Sequence, residues 1–303
     1  MVDSIVWFFT NIAMGIFNFF YAVTHPGLWL DWSDKQSLMR FIYYGASQEL
    51  FFVVFDAFVI LTGLGLWRRQ IMWGVVRVLE AVNNSVGRFA AWAGLLMVTQ
   101  QIVIIFLQRI FRVADISVGP FGWVVKMDLS WYGEELKFYN AIIVALACGY
   151  TFIQGGHVRV DLFYASARFR TKKVIDMFGS LFFMIPAMTL IWLYAWNFMW
   201  RHMITPKVSA SDKLELMLRK ARIVKWHVET IGFSPNGFNG YFLFKVLLVA
   251  FTFLMFVQAI AFFYRSLLEY REGPESAGKY LDKDKVSDDL EEAVSEVLEE
   301  AHF

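Results

Sequence analysis

Hydrophobic positions gather into six long apolar runs, at about 5–23, 50–67, 89–111, 136–155, 174–200 and 241–264. At about 1.5 Å of rise per residue, runs of this length suffice to cross a hydrocarbon core of roughly 30 Å. The pattern predicts an all-α, polytopic integral membrane protein. The first run contains Asn11 and Asn18, and the second contains Asp56. Placing an acid at mid-bilayer costs roughly 2.5–3.5 kcal/mol on insertion scales, which the neighbouring Phe, Val and Leu residues offset. Both runs are therefore read as spans. Pro186 sits midway along the fifth run and predicts a kink of the kind that packed neighbours tolerate.

Two other segments are amphipathic rather than uniformly apolar. Residues 71–86 interleave apolar positions with Arg77, Glu80, Asn83 and Asn84, which predicts an interfacial helix lying along the membrane as a horizontal arm. Residues 212–228 place Leu214, Met217, Leu218, Ala221, Val224 and Val228 on one face, with Asp212 and Glu215 spaced as a capping box.

Composition sharpens the class. Hydrophobic residues make up 58% of the chain and charged residues only 18%, and 32 Phe with 12 Trp exceed the needs of a soluble core of this length. The single Cys148 lies inside a span, so no disulfide forms within the chain. The first residues, MVDSIVWFF, lack a basic n-region and a small-residue cleavage site, so the apolar start is expected to be retained. The nearly neutral total hides an asymmetry: after Ser266 there are twelve acids and four bases, against 15 acids and 24 bases before it. The end of the chain, 267–303, is read as an acidic cytoplasmic tail, with a helix expected over 287–301.

Basic residues set the orientation. Segment 68–88 has four Arg and one acid, and segment 157–173 carries Arg159, Arg168, Arg170, Lys172 and Lys173; both are expected in the cytoplasm, which puts both termini there. Segment 201–240, with seven bases against three acids, runs against this rule. The orientation rests on the other two.

Candidate chemistry is sparse. The histidines at 25, 157, 202, 227 and 302 lie at span ends, loops or the tail, whereas a membrane b-type haem needs paired axial His inside its spans. His157 and Asp161 supply two metal ligands at most, fewer than a site needs. There is no phosphate-binding Gly-rich loop, GxSxG elbow or HExxH, so no catalytic, cofactor or metal residue is assigned and an enzyme is not expected. The amides Gln100, Gln101, Asn140, Gln154, Asn197 and Gln258 are read as links between helices. Asp56 is the one candidate intramembrane proton or cation site. The bases sit at membrane edges, where anionic headgroups explain them, so no nucleic-acid partner is expected.

An ordered set of motifs runs through the second half. A stretch with Arg109 ends the third run; Trp131, Glu134 and Glu135 open the fourth; Gly156-His157-Val158-Arg159-Val160-Asp161 closes it; Glu229, Ser234, Pro235 and Lys245 lead into the sixth, with Gln258 late in that run. From about residue 88 to 266 this resembles the four-span small membrane (Q) subunit of tripartite ATP-independent periplasmic (TRAP) transporters. Residues 1–87, with two candidate spans and the arm, and the tail at 267–303 are additions to that pattern, as of a larger variant. The resemblance implies a bacterial inner-membrane, multi-pass subunit that scaffolds a large transport subunit. That large subunit would carry out sodium-driven uptake of an organic acid delivered by a periplasmic binding protein. Arg109, Trp131, Glu134, Glu135, His157, Arg159, Asp161, Glu229, Lys245 and Gln258 would then fix helix ends and contact the partner. The competing reading is a free-standing channel or structural membrane protein.

Overall fold

The computed structural model describes residues 2–113, 115–118, 125–155, 164, 167–232 and 234–284, to which the structural statements below refer. The His157-Arg159-Asp161 elbow and the helix expected over 287–301 lie outside them. The described residues are mostly helical, and six helical stretches among them are long and apolar enough to cross a membrane. In order, the helices are α1 (Val2–Thr24), α2 (Lys35–Tyr44), α3 (Gln48–Trp67), α4 (Arg69–Ile105), α5 (Leu129–Gln154), α6 (Phe169–Gly179), α7 (Ile185–Arg201), α8 (Leu214–Ala221) and α9 (Tyr241–Glu272). Two antiparallel ribbons complete the fold, β1 (Asp115–Val118) with β2 (Val125–Asp128), and β3 (Ile204–Thr205) with β4 (Lys225–Trp226).

Helix starts follow local chemistry. The Asp34 carboxylate accepts hydrogen bonds from the Gln36 and Ser37 amides, Ser47 Oγ from the Leu50 amide, and Asp128 from the Ser130 amide, each meeting donors that a first helical turn leaves free. Those amide bonds hold the Asp34 and Asp128 carboxyls below the usual carboxylate range. Gly155 closes α5 at φ 79°, in the left-handed region that favours glycine.

The structure corrects two of the sequence expectations and adds detail to a third. The arm at 71–86 is not a separate horizontal helix: it is the first half of α4, a continuous helix of 37 residues. Three of its four polar positions, Glu80, Asn83 and Asn84, are buried, while Arg77 is exposed. An apolar medium reverses the rule for soluble helices, because polar groups find partners only inside the bundle. At about 55 Å, α4 is longer than a hydrocarbon core requires. The capping box at Asp212 and Glu215 does not form either. Asp212 instead accepts the Ser209 amide and pairs with Lys220 at 2.5 Å, while Lys213 occupies the N-cap of α8 without a side-chain bond. Finally, the break in the fifth run is a π turn at Ser180–Met184, just ahead of Pro186. Proline cannot donate to the carbonyl four residues back and crowds it, and the wider turn relieves both.

The long helices pack so that the bundle has two distinct ends. At the loop end, α2 lies across the end of α7 and against α8, closing a core of Leu38, Met39, Ile42, Trp196, Trp200 and Met217. Trp192 and Trp196 donate from their indole N–H groups to the Gly45 and Ile42 carbonyls at 2.8 and 2.9 Å. At the tail end, Met72, Trp73 and Val76 of α4 meet Tyr264 and Leu268 of α9. Between the ends, α4 and α5 approach through two glycines. A Cβ on Gly87 would stand 2.1 Å from Tyr150 Cβ, and one on Gly149 would stand 2.2 Å from Asn83 Oδ1. Outward faces carry large apolar side chains, among them Trp67, Phe89 and Leu190, as helices in lipid require.

The two glycine contacts generate a paired test. Gly87→Ala and Gly149→Ala are each expected to cost about 1–3 kcal/mol through forced separation of α4 and α5. Gly63→Ala and Gly74→Ala, where a Cβ meets open space, are expected to leave stability unchanged. Thermal unfolding of the detergent-solubilised chain, followed by tryptophan fluorescence, compares the four.

Candidate functional site

The motif residues that the structure describes fall at the loop end and in the middle of the bundle, and each ties one segment to another. Glu134, in the second turn of α5, accepts the Phe238 amide at 3.0 Å. That turn passes so close that a Cβ on Gly237 would lie 1.9 Å from Glu134 Oε2, so glycine is required by close approach rather than by its φ. Trp131 packs edge-on against Phe238 at 5.3 Å between ring centres, and Phe138 stacks on the other side of the same ring at 5.7 Å. The Trp-Glu motif therefore holds the turn that follows the Ser234-Pro235 pair, about a hundred residues away. Glu135 looks the opposite way and accepts Gln100 Nε2 of α4 at 3.0 Å, and the same amide donates to the Tyr132 carbonyl at 3.1 Å.

Glu229 and Lys245 also meet. Lys245 Nζ lies 3.0 Å from Glu229 Oε2, and His202 Nε2 approaches the same oxygen at 3.3 Å. The ammonium is nearly buried, between the rings of Phe198 and Tyr241 at 5.1 and 5.0 Å, where ring faces supplement the single carboxylate. The hydrogen bond from Lys245 is the main cause, with its charge and that of His202 adding, that holds the Glu229 carboxyl below its usual range. Gln258, deep in α9, accepts Asn83 Nδ2 of α4 at 3.2 Å in a fully buried amide pair. Arg109 stands exposed in the π turn Phe106–Ile110 that ends the third run. Of the remaining amides, Asn197 donates to Leu193 in its own helix, and Gln101 and Asn140 are exposed.

A second polar concentration, at the tail end, was not singled out from the sequence. Arg265 of α9 grips Glu80 of α4 with two parallel bonds of 2.7 and 2.6 Å, lies over Trp73, and donates to the Lys279 carbonyl at 2.9 Å. One turn on, Glu269 lies 2.5 Å from Lys173 Nζ of α6, an ion pair rather than a well-aligned hydrogen bond. Glu269 also accepts the Gly278 amide at 3.2 Å.

Beyond α9 the chain reverses at Gly273 and crosses α4 as a strap. Tyr280 packs on Trp73 and under Arg77. Asp282 accepts from Asn84 and Arg88, Asp284 from Arg88 and Tyr150, and Gln154 bonds the strap backbone on both sides, accepting from the Asp284 amide and donating to the Asp282 carbonyl. The acidic segment, expected to be a solvated tail, is over 273–284 a docked piece of the bundle that joins α4, α5 and α9. Arg265 and Glu269 at i,i+4 near the end of an otherwise apolar helix were the available signal. Their partners, 185 residues away for Glu80, were not legible from spacing.

Electrostatics at the strap are one-sided. The hydrogen bond from Arg88 chiefly, and that of Asn84, hold the Asp282 carboxyl below its ordinary value. Asp284 is lowered first by the Tyr150 hydroxyl and then by Arg88. Among the described residues, no three His, Cys, Asp or Glu side chains gather as metal ligands. An open groove runs along Gln108, Arg112 and Asp128, beside the Arg109 stretch that ends the third run. The arrangement positions helices; it presents no paired nucleophile and base. Compared with known protein families, curated proteins and solved structures, the chain matches none of them.

Two outcomes follow for the tail end. Arg265→Ala leaves Glu80 buried without its partner and is expected to cost about 3–5 kcal/mol, whereas Arg88→Ala, a half-exposed pair, costs under about 1 kcal/mol yet frees the strap. Unfolding midpoints and the mobility of a spin label at position 281 separate the two effects. Because the folded-state values of Asp282 and Asp284 are depressed, their contribution is fully present above the unfolded carboxylate value of about 3.9. It disappears as pH falls through the lower folded values. The label is expected to stay immobile from neutral pH down to about 4 and to become mobile only below that.

Proposed function

We propose that this chain is the small membrane subunit of a TRAP-type transporter, crossing a bacterial inner membrane six times with both termini in the cytoplasm. In this reading it scaffolds a large transport subunit that takes up an organic acid with sodium, after delivery by a periplasmic binding protein. What supports the reading is the use to which the motif residues are put. Trp131, Glu134, Glu135, Glu229, Lys245 and Gln258 all serve as ties between helices or between a helix and a loop. A subunit that moved substrate itself would need polar side chains converging on a path. A scaffold needs rigid helix ends, which is what an ion pair and an aromatic clamp at the head of α5 and α9 supply.

The bases are distributed compatibly. Arg68, Arg69, Arg88 and Lys173 lie at the tail end, which this reading assigns to the cytoplasm. The loop end, with α2, α8 and both ribbons, would face the periplasm. Two of the bases in the 201–240 segment are neutralised by its own acids, Lys220 by Asp212 and Arg219 by Glu215. Local pairing accounts for bases on the side where free ones are disfavoured.

The test is purification of the tagged chain from its native membrane in mild detergent, with mass spectrometry of what co-elutes. A stoichiometric and much larger polytopic protein is expected. A chain that elutes alone and monodisperse overturns the reading in favour of a free-standing channel or structural protein. Arg159→Ala and Asp161→Ala are expected to lower recovery of the large subunit while leaving its substrate preference unchanged, and a changed substrate range with intact assembly would refute their assignment.

A further inference from the structure

Asp56 belongs to neither polar cluster. It is the ninth residue of α3, about 12 Å from the helix start and therefore near the middle of any membrane that α3 crosses. Its side chain is turned inward, with the residue 6% exposed, and its Oδ2 is buried without a hydrogen-bond partner. What faces that oxygen is the backbone of α1: a Cβ on Gly15 would come 2.2 Å from Oδ2 and 3.2 Å from the Phe52 carbonyl carbon. Gly15 is also the one buried position among the described residues of α1. At this point the first two long helices meet as a glycine laid on a carboxyl group.

Among the described residues, no cation pairs with this carboxyl. Between Asp3 and Tyr21, α1 has no titratable side chain, and the nearest on α3 is Glu49, two turns toward the loop end. The charged and phenolic groups on α2 and α4, which pack against α3, are Lys35, Arg40, Tyr43 and Tyr44, and Arg69, Arg77, Glu80 and Arg88, none of them bonded to the buried Asp56 Oδ2, and the Tyr264 hydroxyl of α9 donates to the Phe58 carbonyl at 2.9 Å. A neutral carboxyl with one unmet hydrogen bond is far less costly to bury than an isolated carboxylate in the same place, even after relaxation. The comparison favours the protonated acid.

We propose that Asp56 is a proton-binding site in the middle of the α1–α3 pair, which seats α1 on α3 while the carboxyl is protonated and loosens that contact when it ionises. Glycine at position 15 is what permits the seat, since any side chain there would displace the carboxyl. The ligand is the proton itself, taken from water. This site is independent of the scaffold reading, because neither Asp56 nor Gly15 belongs to the motif set.

The test treats the full-length chain in membranes with dicyclohexylcarbodiimide, an apolar reagent that modifies protonated carboxyls, and locates the adduct by peptide mass across a pH series. The expected result is label on Asp56, insensitive to sodium and falling about tenfold per pH unit once the carboxyl is mostly ionised. Infrared spectra provide a readout independent of reagent access: a protonated-carboxyl C=O band present in the wild type and missing in Asp56→Asn. Gly15→Leu, which retains the acid but displaces α1, is expected to speed labelling. Protection by sodium at constant pH would overturn the proposal in favour of a metal-cation site. Absence of both label and infrared band at neutral pH would overturn it in favour of a permanently ionised group.

Discussion

The bidentate pair between Arg265 and Glu80 is the interaction on which the tail half of the structure depends. Both groups are buried, so each is tolerable only because the other is present, and the pair fixes the register of α4 against α9 to within the reach of two short hydrogen bonds. That register brings Asn83 opposite Gln258, sets Trp73 under the guanidinium, and leaves Arg265 a third donor for the strap carbonyl at Lys279. Apolar contacts alone would leave the two helices free to slide, since lipid tails are as good a neighbour for Leu or Val as another helix is.

The loop end solves the same problem differently. There the fixing elements are large aromatic rings with one polar handle each: Trp192 and Trp196 reach carbonyls at the end of α2, and Trp131 clamps Phe238. Indoles combine apolar area with a directed N–H, which suits a region where a bundle emerges from an apolar layer into loops. The tail end relies on charge pairs and needs them buried or strapped, because exposed pairs contribute little. Both ends are rigid, and the mid-section, held by glycine contacts and one amide pair, takes its geometry from them.

The long helices were legible in the sequence because a bilayer imposes length and apolarity together, and the boundaries moved mainly where polar caps extended a helix past its apolar run. What was not legible has physical causes. Helix α2 is ten residues of mixed polarity, and only the tryptophans of α7 give it a reason to fold where it does. The polar stripe at Glu80, Asn83 and Asn84 was assigned to water, although in a long membrane helix the same stripe is the one that turns inward. The motif pair Glu229 and Lys245 was visible because both residues lie close in sequence to the helix they fix. The strap was invisible because acidic composition says that a segment dislikes lipid, not that Arg88, Tyr150 and Asn84 stand ready to receive it.

The tail end also constrains how the two parts of the chain relate. The boundary read from the sequence between residues 87 and 88 falls inside α4, and Asn84 and Arg88 on either side of it hold the same carboxylate of Asp282. The amino-terminal region is therefore continuous with the four-helix part through a single helix, braced by Glu80 on one side and the strap on the other. Helix α1 rests mainly on α3, through Gly15 against Asp56 and through Trp7 and Phe8 packed edge-on against Phe52 and Phe55. Under the proposal for Asp56, protonation sets how α1 is held on α3, whereas α4, α5 and α9 are joined to one another by the buried Arg265–Glu80 pair and by the strap.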